Sequence, residues 1–228
     1  MENKTILIFA NGVITDKEWL LRQLARADVV IAADGGIRHL LAVGHQPDIL
    51  IGDLDSLPEG FDVELVVRSD VKVIRHPPAK DETDLELALL LAADHFPGAD
   101  LIILGGFGGR VDQTLANILL LAHPRLSHCS IRLEEAGESA WLVRDRTEIY
   151  GRPGDRVSFL PLGGAVEVAS TTGLRWPLHD ERLAFGPARG ISNELTATKA
   201  TVQLNSGMLL CIQAHQAGSP IDQDTADD

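Results

Sequence analysis

The sequence predicts a two-part α/β protein: an N-terminal parallel-sheet, Rossmann-like α/β domain followed by a C-terminal all-β sandwich domain. Three observations carry this. Up to about residue 135, apolar β-type runs alternate with helical patterns, the signature of a parallel sheet crossed by helices. Beyond that point short β-like runs succeed one another between Gly and Pro turns, with no convincing helix among them. Between them, residues 29–57 read strand–helix–strand, with Asp34 closing the first strand and Asp53 and Asp55 following the second. The expected divisions are 1–134, 135–215 and a polar, acidic, disordered tail over 216–228.

Taken in order, TILIFA (5–10) is a buried first strand and Asn11-Gly12 the turn after it. Thr15 with Glu18 forms a capping-box pattern for a helix running to about Ala27. VVIAA (29–33) and DILIG (48–52) are strands, and IRHLLAVG between them is a short helix with Gly44 at its C-terminal cap. Pro58 to Arg68 fits a short helix or a loop equally. VKVIR (71–75) is a strand, and Pro77-Pro78 forces a loop after it. Thr83 with Glu86 opens a helix over TDLELALLLAADHF, whose Leu85, Ala88, Leu89 and Ala92 recur at helical spacing. DLIILGG (100–106) is a fifth strand, Asp112 to Ala122 a helix stopped by Pro124, and SIRLEEA (130–136) a sixth strand. AWLVR, TEIYG, RVSFLPL, AVEVAST, ATVQLN and MLLCIQA supply the β domain.

Composition narrows the function. The 228 residues are 45% hydrophobic and 23% charged, with a formal charge of −13. That balance opposes a nucleic-acid binder, which needs a basic face. It is compatible with a nucleotide, because a divalent metal can bridge protein carboxylates to phosphate. Cys129 and Cys211 have neither metal nor redox spacing and read as buried free thiols of a reducing compartment. The N-terminus lacks a secretion signal and no apolar run is long enough to span a bilayer, so a soluble, cytoplasmic protein without membrane contact is expected.

Four stretches carry chemistry. In Asp34-Gly35-Gly36 the glycines let the backbone turn tightly and approach a ligand, although the stretch taken alone reads better as a strand-to-helix turn with Asp34 as N-cap. In Gly52-Asp53-Leu54-Asp55-Ser56 two acids spaced by one residue can reach one magnesium, and an acidic turn without metal explains the pattern as well. In Lys80-Asp81-Glu82-Thr83-Asp84 the last acid lies in a first helical turn, where the dipole favours it anyway. Its loop also ends a parallel strand, and Lys80 would offer positive charge to phosphate. Gly105-Gly106-Phe107-Gly108-Gly109-Arg110-Val111-Asp112-Gln113 is neither a Walker A loop nor a dinucleotide fingerprint. Its glycines between strand and helix can still wrap phosphate or adenine with backbone N–H groups, and Arg110 suits bidentate phosphate contact. Ligands of open parallel sheets bind beyond the carboxyl ends of the strands, so all these acids fall on one edge. Carboxylates crowded there call for a divalent cation, Mg2+ being the simplest.

Together these stretches, ADGG, GD-x-DS, D-x-TD and GG-x-GGR-x-D, closely resemble the thiamine pyrophosphokinase family. TTGLRWPL (171–178) and RGISNE (189–194) resemble its thiamine-side segments, so the likeness covers nearly the whole chain. It implies transfer of the terminal pyrophosphoryl group of ATP to the hydroxyl of thiamine, giving thiamine diphosphate and AMP. It also implies a homodimer, with thiamine bound where one subunit's α/β domain meets the partner's β domain. Carried over by motif, Asp53, Asp55, Asp84 and Asp112 are catalytic, and Asp53, Asp55 and Asp84 hold Mg2+. Asn11, Asp34, Gly35, Gly36, Lys80, Gly106, Gly108, Gly109, Arg110 and Gln113 serve ATP. Trp176, Ser192 and Asn193 serve thiamine. An aromatic face suits a flat cationic heterocycle, and a core tryptophan of the β domain is the other reading of Trp176. The chain departs from the family pattern at Gln113, where many bacterial members have histidine, and at Arg38 and His39, where small or amide residues are frequent. An Mg-dependent phosphohydrolase and a non-catalytic Mg-ATP sensor are the competing functions.

Overall fold

The computed structural model describes residues 3–57 and 70–215. The expectations for Pro58 to Arg68 and for the 216–228 tail lie outside the described residues. The chain divides into two compact units, Met1–Glu135 and Ala136–Asp228.

In the first unit, strands β1 (Thr5–Phe9), β2 (Val29–Ala33), β3 (Ile49–Gly52), β4 (Lys72–Arg75), β5 (Asp100–Leu104) and β6 (Ser130–Glu135) lie in the order β6-β5-β1-β2-β3-β4. Every pairing is parallel. β1, β2 and β3 are apolar nearly throughout because the sheet buries both of their faces, which is why they read as continuous runs. β4, at the edge, is only half buried and correspondingly more polar.

Helices α1 (Lys17–Leu24), α2 (Ile37–Leu41), α3 (Asp84–His95) and α4 (Val111–Leu120) connect them. The cap of α1 corrects the expected Thr15–Glu18 box. Asp16 is the N-cap, its carboxylate accepting the Trp19 N–H at 2.9 Å, and the helix ends at Leu24 rather than near Ala27. A carboxylate one residue along outcompetes the threonine because it carries full charge at the positive end of the helix. Thr83 caps α3 as expected, accepting the Glu86 N–H at 3.2 Å. After α2 the His45 N–H reaches Leu40 O and the Gly44 N–H reaches Leu41 O, a Schellman closure with Gly44 at φ +70°.

The second unit contains no helix among its described residues. Strands β7 (Glu138–Val143), β8 (Arg146–Tyr150), β9 (Arg156–Pro161), β10 (Val166–Thr172), β11 (His179–Leu183), β12 (Asn193–Glu194), β13 (Lys199–Ser206) and β14 (Leu209–Ala214) form two antiparallel groups. Their orders are β12-β9-β14-β7 and β11-β10-β13-β8. Alternate residues of both groups, among them Trp141, Phe159 and Cys211 from one and Ile149, Val168 and Val202 from the other, meet in one buried cluster. Sequence patterning missed β11 and β12. HDERL is an edge strand largely open to solvent, so it lacks apolar alternation, and β12 is only two residues long.

Candidate active site

The strand order fixes where a ligand can sit. From β1 the chain builds outward through β2, β3 and β4 on one side, and β5 and β6 lie on the other. The strand order therefore reverses at β1, and the carboxyl edge at such a reversal is the usual position of a ligand site. The loop after β5 is braced against the turn after β1. Ala10 N–H donates to Leu104 O at 2.8 Å, Gly12 N–H to Gly105 O at 2.8 Å and Val13 N–H to Phe107 O at 3.4 Å. Asn117 Nδ2 donates to Gly106 O at 2.9 Å, and Thr114 Oγ1 to Gly108 O at 3.3 Å. Gly105, Gly108 and Gly109 all have φ near +70°.

These bonds engage the loop's carbonyls. The N–H groups of Gly106, Phe107, Gly108 and Gly109 donate to nothing among the described residues. A run of open N–H groups entering a helix is an anion cradle. At its end Arg110 and Asp112 pair with each other, Nε to Oδ1 at 3.1 Å and Nη2 to Oδ2 at 2.5 Å. Arg110 holds the Asp112 carboxyl below the usual range, and both side chains are well exposed. Gln113 is also exposed.

The acids gather on the same edge. Asp34, Asp53 and Asp55 each place a carboxylate oxygen within 4.8 Å of the others. Asp34 is 5% exposed, sits at φ +44° and begins a single 3-10 turn into α2. A side chain on Gly36 would run into the Phe9 carbonyl, and one on Gly35 into Asn11, so the ADGG turn requires its glycines. Asn11 thus packs on Gly35, and its own carbonyl accepts from Arg38 Nη2 at 2.9 Å. Gly52, before Asp53, leaves room for Asp34 and Asp84, whose side chains approach it from two directions. Asp84 is outside the cluster of three. Its Oδ1 lies 3.0 Å from Lys80 Nζ, which also donates to Asp53 Oδ2 at 3.0 Å. The trio expected to share a metal is Asp53, Asp55 and Asp84; the trio that converges has Asp34 in place of Asp84.

The electrostatics leave an unmet demand for positive charge. Burial raises the Asp34 carboxyl above its ordinary value, against hydrogen bonds from Ser56 and Gly35 that lower it, with Asp84 and Asp53 adding to the rise. Its Oδ1 is buried and has no hydrogen-bond partner among the described residues. Asp53, by contrast, is held low by Lys80. Burial alone would depress Lys80, but its hydrogen bonds to the Asp53 and Asp84 carboxylates outweigh it and leave the amine raised and charged. Hard carboxylate oxygens at this spacing, one of them orphaned, fit Mg2+.

In the second unit Trp176 is 51% exposed and so is not a core residue. The Arg175 guanidinium stands 4.8 Å from its ring centroid and pairs with Glu194 at 2.8 Å. Asn193 is buried. Its Oδ1 accepts the Trp176 N–H at 3.1 Å and its Nδ2 donates to the Trp176 carbonyl at 2.7 Å. The amide therefore holds the Trp176 segment and does not stand free for a ligand. Ser192 is exposed at φ +59°, its N–H donating to Ser158 Oγ at 3.1 Å.

Sequence reading missed several supports. Arg38 and His39, noted only as departures, both reach the Gly12 carbonyl, Arg38 Nη2 at 2.5 Å and His39 Nε2 at 2.9 Å. Burial and the Arg38 charge lower the His39 pKa, so the neutral ring donates there through Nε2–H. Asn117, one helical turn and more beyond Asp112, carried no local signal.

A parallel α/β unit with clustered acids and an open glycine loop at one edge, followed by an all-β unit, defines a class of protein built to hold phosphoryl groups. Comparison with known proteins makes this specific. Residues 20–133 match the family described as thiamin pyrophosphokinase, catalytic domain, and residues 146–209 match its vitamin B1 binding domain. Thiamine pyrophosphokinase of Bacillus subtilis (strain 168) is 30% identical over 193 residues, covering 81% of this chain and 86% of that protein. The crystal structure of thiamine pyrophosphokinase from Bacillus subtilis superposes with a TM-score of 0.81 at 28% identity, covering 93% of this chain and 100% of that one. That of Geobacillus thermodenitrificans gives 0.80 at 26% identity, covering 94% and 99%. The chain belongs to the thiamine pyrophosphokinase family.

Proposed function

We propose that the chain transfers the pyrophosphoryl group of ATP to the hydroxyl of thiamine. The thiamine oxygen bonds to the β-phosphorus, the bond from that phosphorus to the α-phosphate oxygen breaks, and thiamine diphosphate and AMP result, with release of the hydroxyl proton. The observation that carries this reading is the meeting of Asp34, Asp53 and Asp55 on the edge where the glycine loop opens its N–H groups. Those three acids would hold Mg2+. Bound there, the ion supplies neutralisation of the triphosphate charge. Gly106, Gly108 and Gly109 cradle the phosphates, Arg110 adds a planar donor pair, and Lys80 keeps Asp53 ionised and adds positive charge. Positioning and charge stabilisation of this kind do most of the work in phosphoryl transfer. Asp84 and Asp112 are read as acids of the reacting edge, and Asn11, Gly35, Gly36 and Gln113 as its nucleotide-side wall.

On the thiamine side, the open face of Trp176 is suited to stack on a flat cation, with Ser192 beside it and Asn193 holding the tryptophan in place. The reading includes a Rossmann-like first domain and a sandwich second domain, supported by the reversal of strand order at β1 and by the shared core of the two antiparallel groups. It includes a homodimer with thiamine at the subunit junction. Val111, Leu115 and Leu119, exposed by 81%, 55% and 49% at four-residue intervals on α4, support a covering partner. Two free cysteines support a cytoplasmic setting. No helix among the described residues is long and apolar enough to cross a membrane.

The test is product analysis of ATP incubated with the protein and Mg2+, with and without thiamine. The expected result is AMP and thiamine diphosphate in equal amounts, and neither without thiamine. Phosphate release independent of thiamine would favour a hydrolase, and ATP binding without turnover a sensor; either outcome would overturn the proposal.

A further inference from the structure

One acid at the carboxyl edge lies outside every sequence motif. Glu135 ends β6, and its Oε1 accepts the Gly105 N–H at 2.8 Å, across 30 residues of chain. Gly105 is where the chain leaves β5, at φ +68°, and its carbonyl is held from the other side by Gly12 N–H at 2.8 Å. Both polar groups of this residue are therefore fixed, one by β6 and one by the turn after β1. The next carbonyl, Gly106, is held by Asn117. Beyond it the backbone N–H groups open. Glycine at positive φ has many other conformations available, so the direction of the following N–H groups depends on what holds Gly105.

A carboxylate beside an anion cradle would repel phosphate, so direct contact with the anion does not explain Glu135. Burial pushes its carboxyl up to about 7, against the lowering effect of the Gly105 hydrogen bond. A protonated carboxyl keeps an acceptor oxygen for Gly105 while losing the repulsive charge.

We propose that Glu135 is a positioning residue for the glycine loop: by holding the Gly105 N–H it sets the direction in which Gly106 to Gly109 present their N–H groups to the nucleotide. This rests on the ATP-loop reading above. The test compares full-length wild type, Glu135→Leu and Glu135→Gln by steady-state kinetics in both substrates and by hydrogen exchange at the Gly105 amide. Losing one hydrogen bond corresponds to roughly 5- to 10-fold in an equilibrium. Glu135→Leu should raise KM for ATP about 5- to 10-fold, leave KM for thiamine within about twofold, and unprotect Gly105. Glu135→Gln, which keeps a carbonyl acceptor, should return KM for ATP to within about twofold of wild type.

An unchanged or lowered KM for ATP in Glu135→Leu would overturn the inference. So would a Glu135→Gln variant as impaired as the leucine, because charge and not acceptance would then matter. If the leucine variant does not fold, the Gly105 amide of wild type decides, since fast exchange there contradicts the hold. A wild type that forms no thiamine-dependent AMP would instead overturn the functional reading, leaving the exchange result to judge Glu135.

Discussion

Lys80 Nζ lies 3.0 Å from Asp53 Oδ2, in a pair whose side chains are only 10% and 11% exposed. The same amine is 3.0 Å from Asp84 Oδ1, so one lysine serves two acids of the candidate site. Removing it leaves both without their cation. Breaking a buried pair by deleting one partner costs on the order of 3 kcal/mol. Lys80→Met should therefore lower the melting temperature in EDTA, and saturating Mg2+ should recover part of the loss. The pair depresses the folded Asp53 value, so its stability is present above the unfolded aspartate pKa of about 4 and is lost as pH falls through the lower folded value. Equal melting curves for wild type and variant in EDTA would count against the pair.

Asp34 presents the opposite case. Its carboxyl is buried, raised in pKa and orphaned at Oδ1. Asp34→Asn removes a costly buried charge, and the metal-free variant should be as stable as wild type or more so. Activity should fall by about 100-fold or more, the scale for losing one preorganised electrostatic group. A variant that is both unstable and active would contradict this division between stability and function.

Glu135 makes stability depend on pH with a definite sign. Its folded pKa is raised from 4.5 to about 7, so between those values the folded state holds a proton that the unfolded state has released. Stability should decline as pH rises from about 4.5 to about 7 and then level off. A tenfold difference in proton affinity between the two states corresponds to about 1.4 kcal/mol, and partial exposure of the carboxyl reduces the total to roughly 1–2 kcal/mol. Urea midpoints between about pH 5 and 8 should show this decline in wild type and not in Glu135→Gln; parallel curves would refute it.

On the β unit, Asn193 fixes both backbone polar groups of Trp176. Asn193→Ala and Trp176→Ala should each raise KM for thiamine several-fold and leave KM for ATP within about twofold, since the change is confined to one substrate's side. Intrinsic tryptophan fluorescence should report a looser Trp176 in Asn193→Ala. Equal increases in both KM values would contradict the assignment.

The parts of the site readable in the sequence were those encoded locally. The aspartates after β2 and β3 and the glycines after β5 each stand at a strand end, and the alternation of strands with helices puts strand ends on one edge. Thr83 was legible because a cap and its helix are neighbours in the chain. What stayed hidden depends on tertiary distance. Glu135 meets Gly105 across 30 residues, and Arg38 meets Gly12 across 26. Asp34 completes the converging trio while Asp84 lies against Lys80, an arrangement that spacing along the chain cannot express. Asn193 carried a motif identity but not its orientation, which only the packing of Trp176 determines. β11 eluded detection because an edge strand facing solvent has no apolar period to find.

That Asp34, Asp53 and Asp55 share a single cation is tested most directly by titrating the protein with Mn2+, which accepts the same oxygen ligands as Mg2+, under electron paramagnetic resonance. One bound Mn2+ per chain is expected in wild type, displaced by Mg2+, with at least about a 10-fold weaker half-saturation in Asp53→Asn and Asp55→Asn. Wild type that binds no Mn2+, or variants that bind it as tightly as wild type, would contradict the shared site.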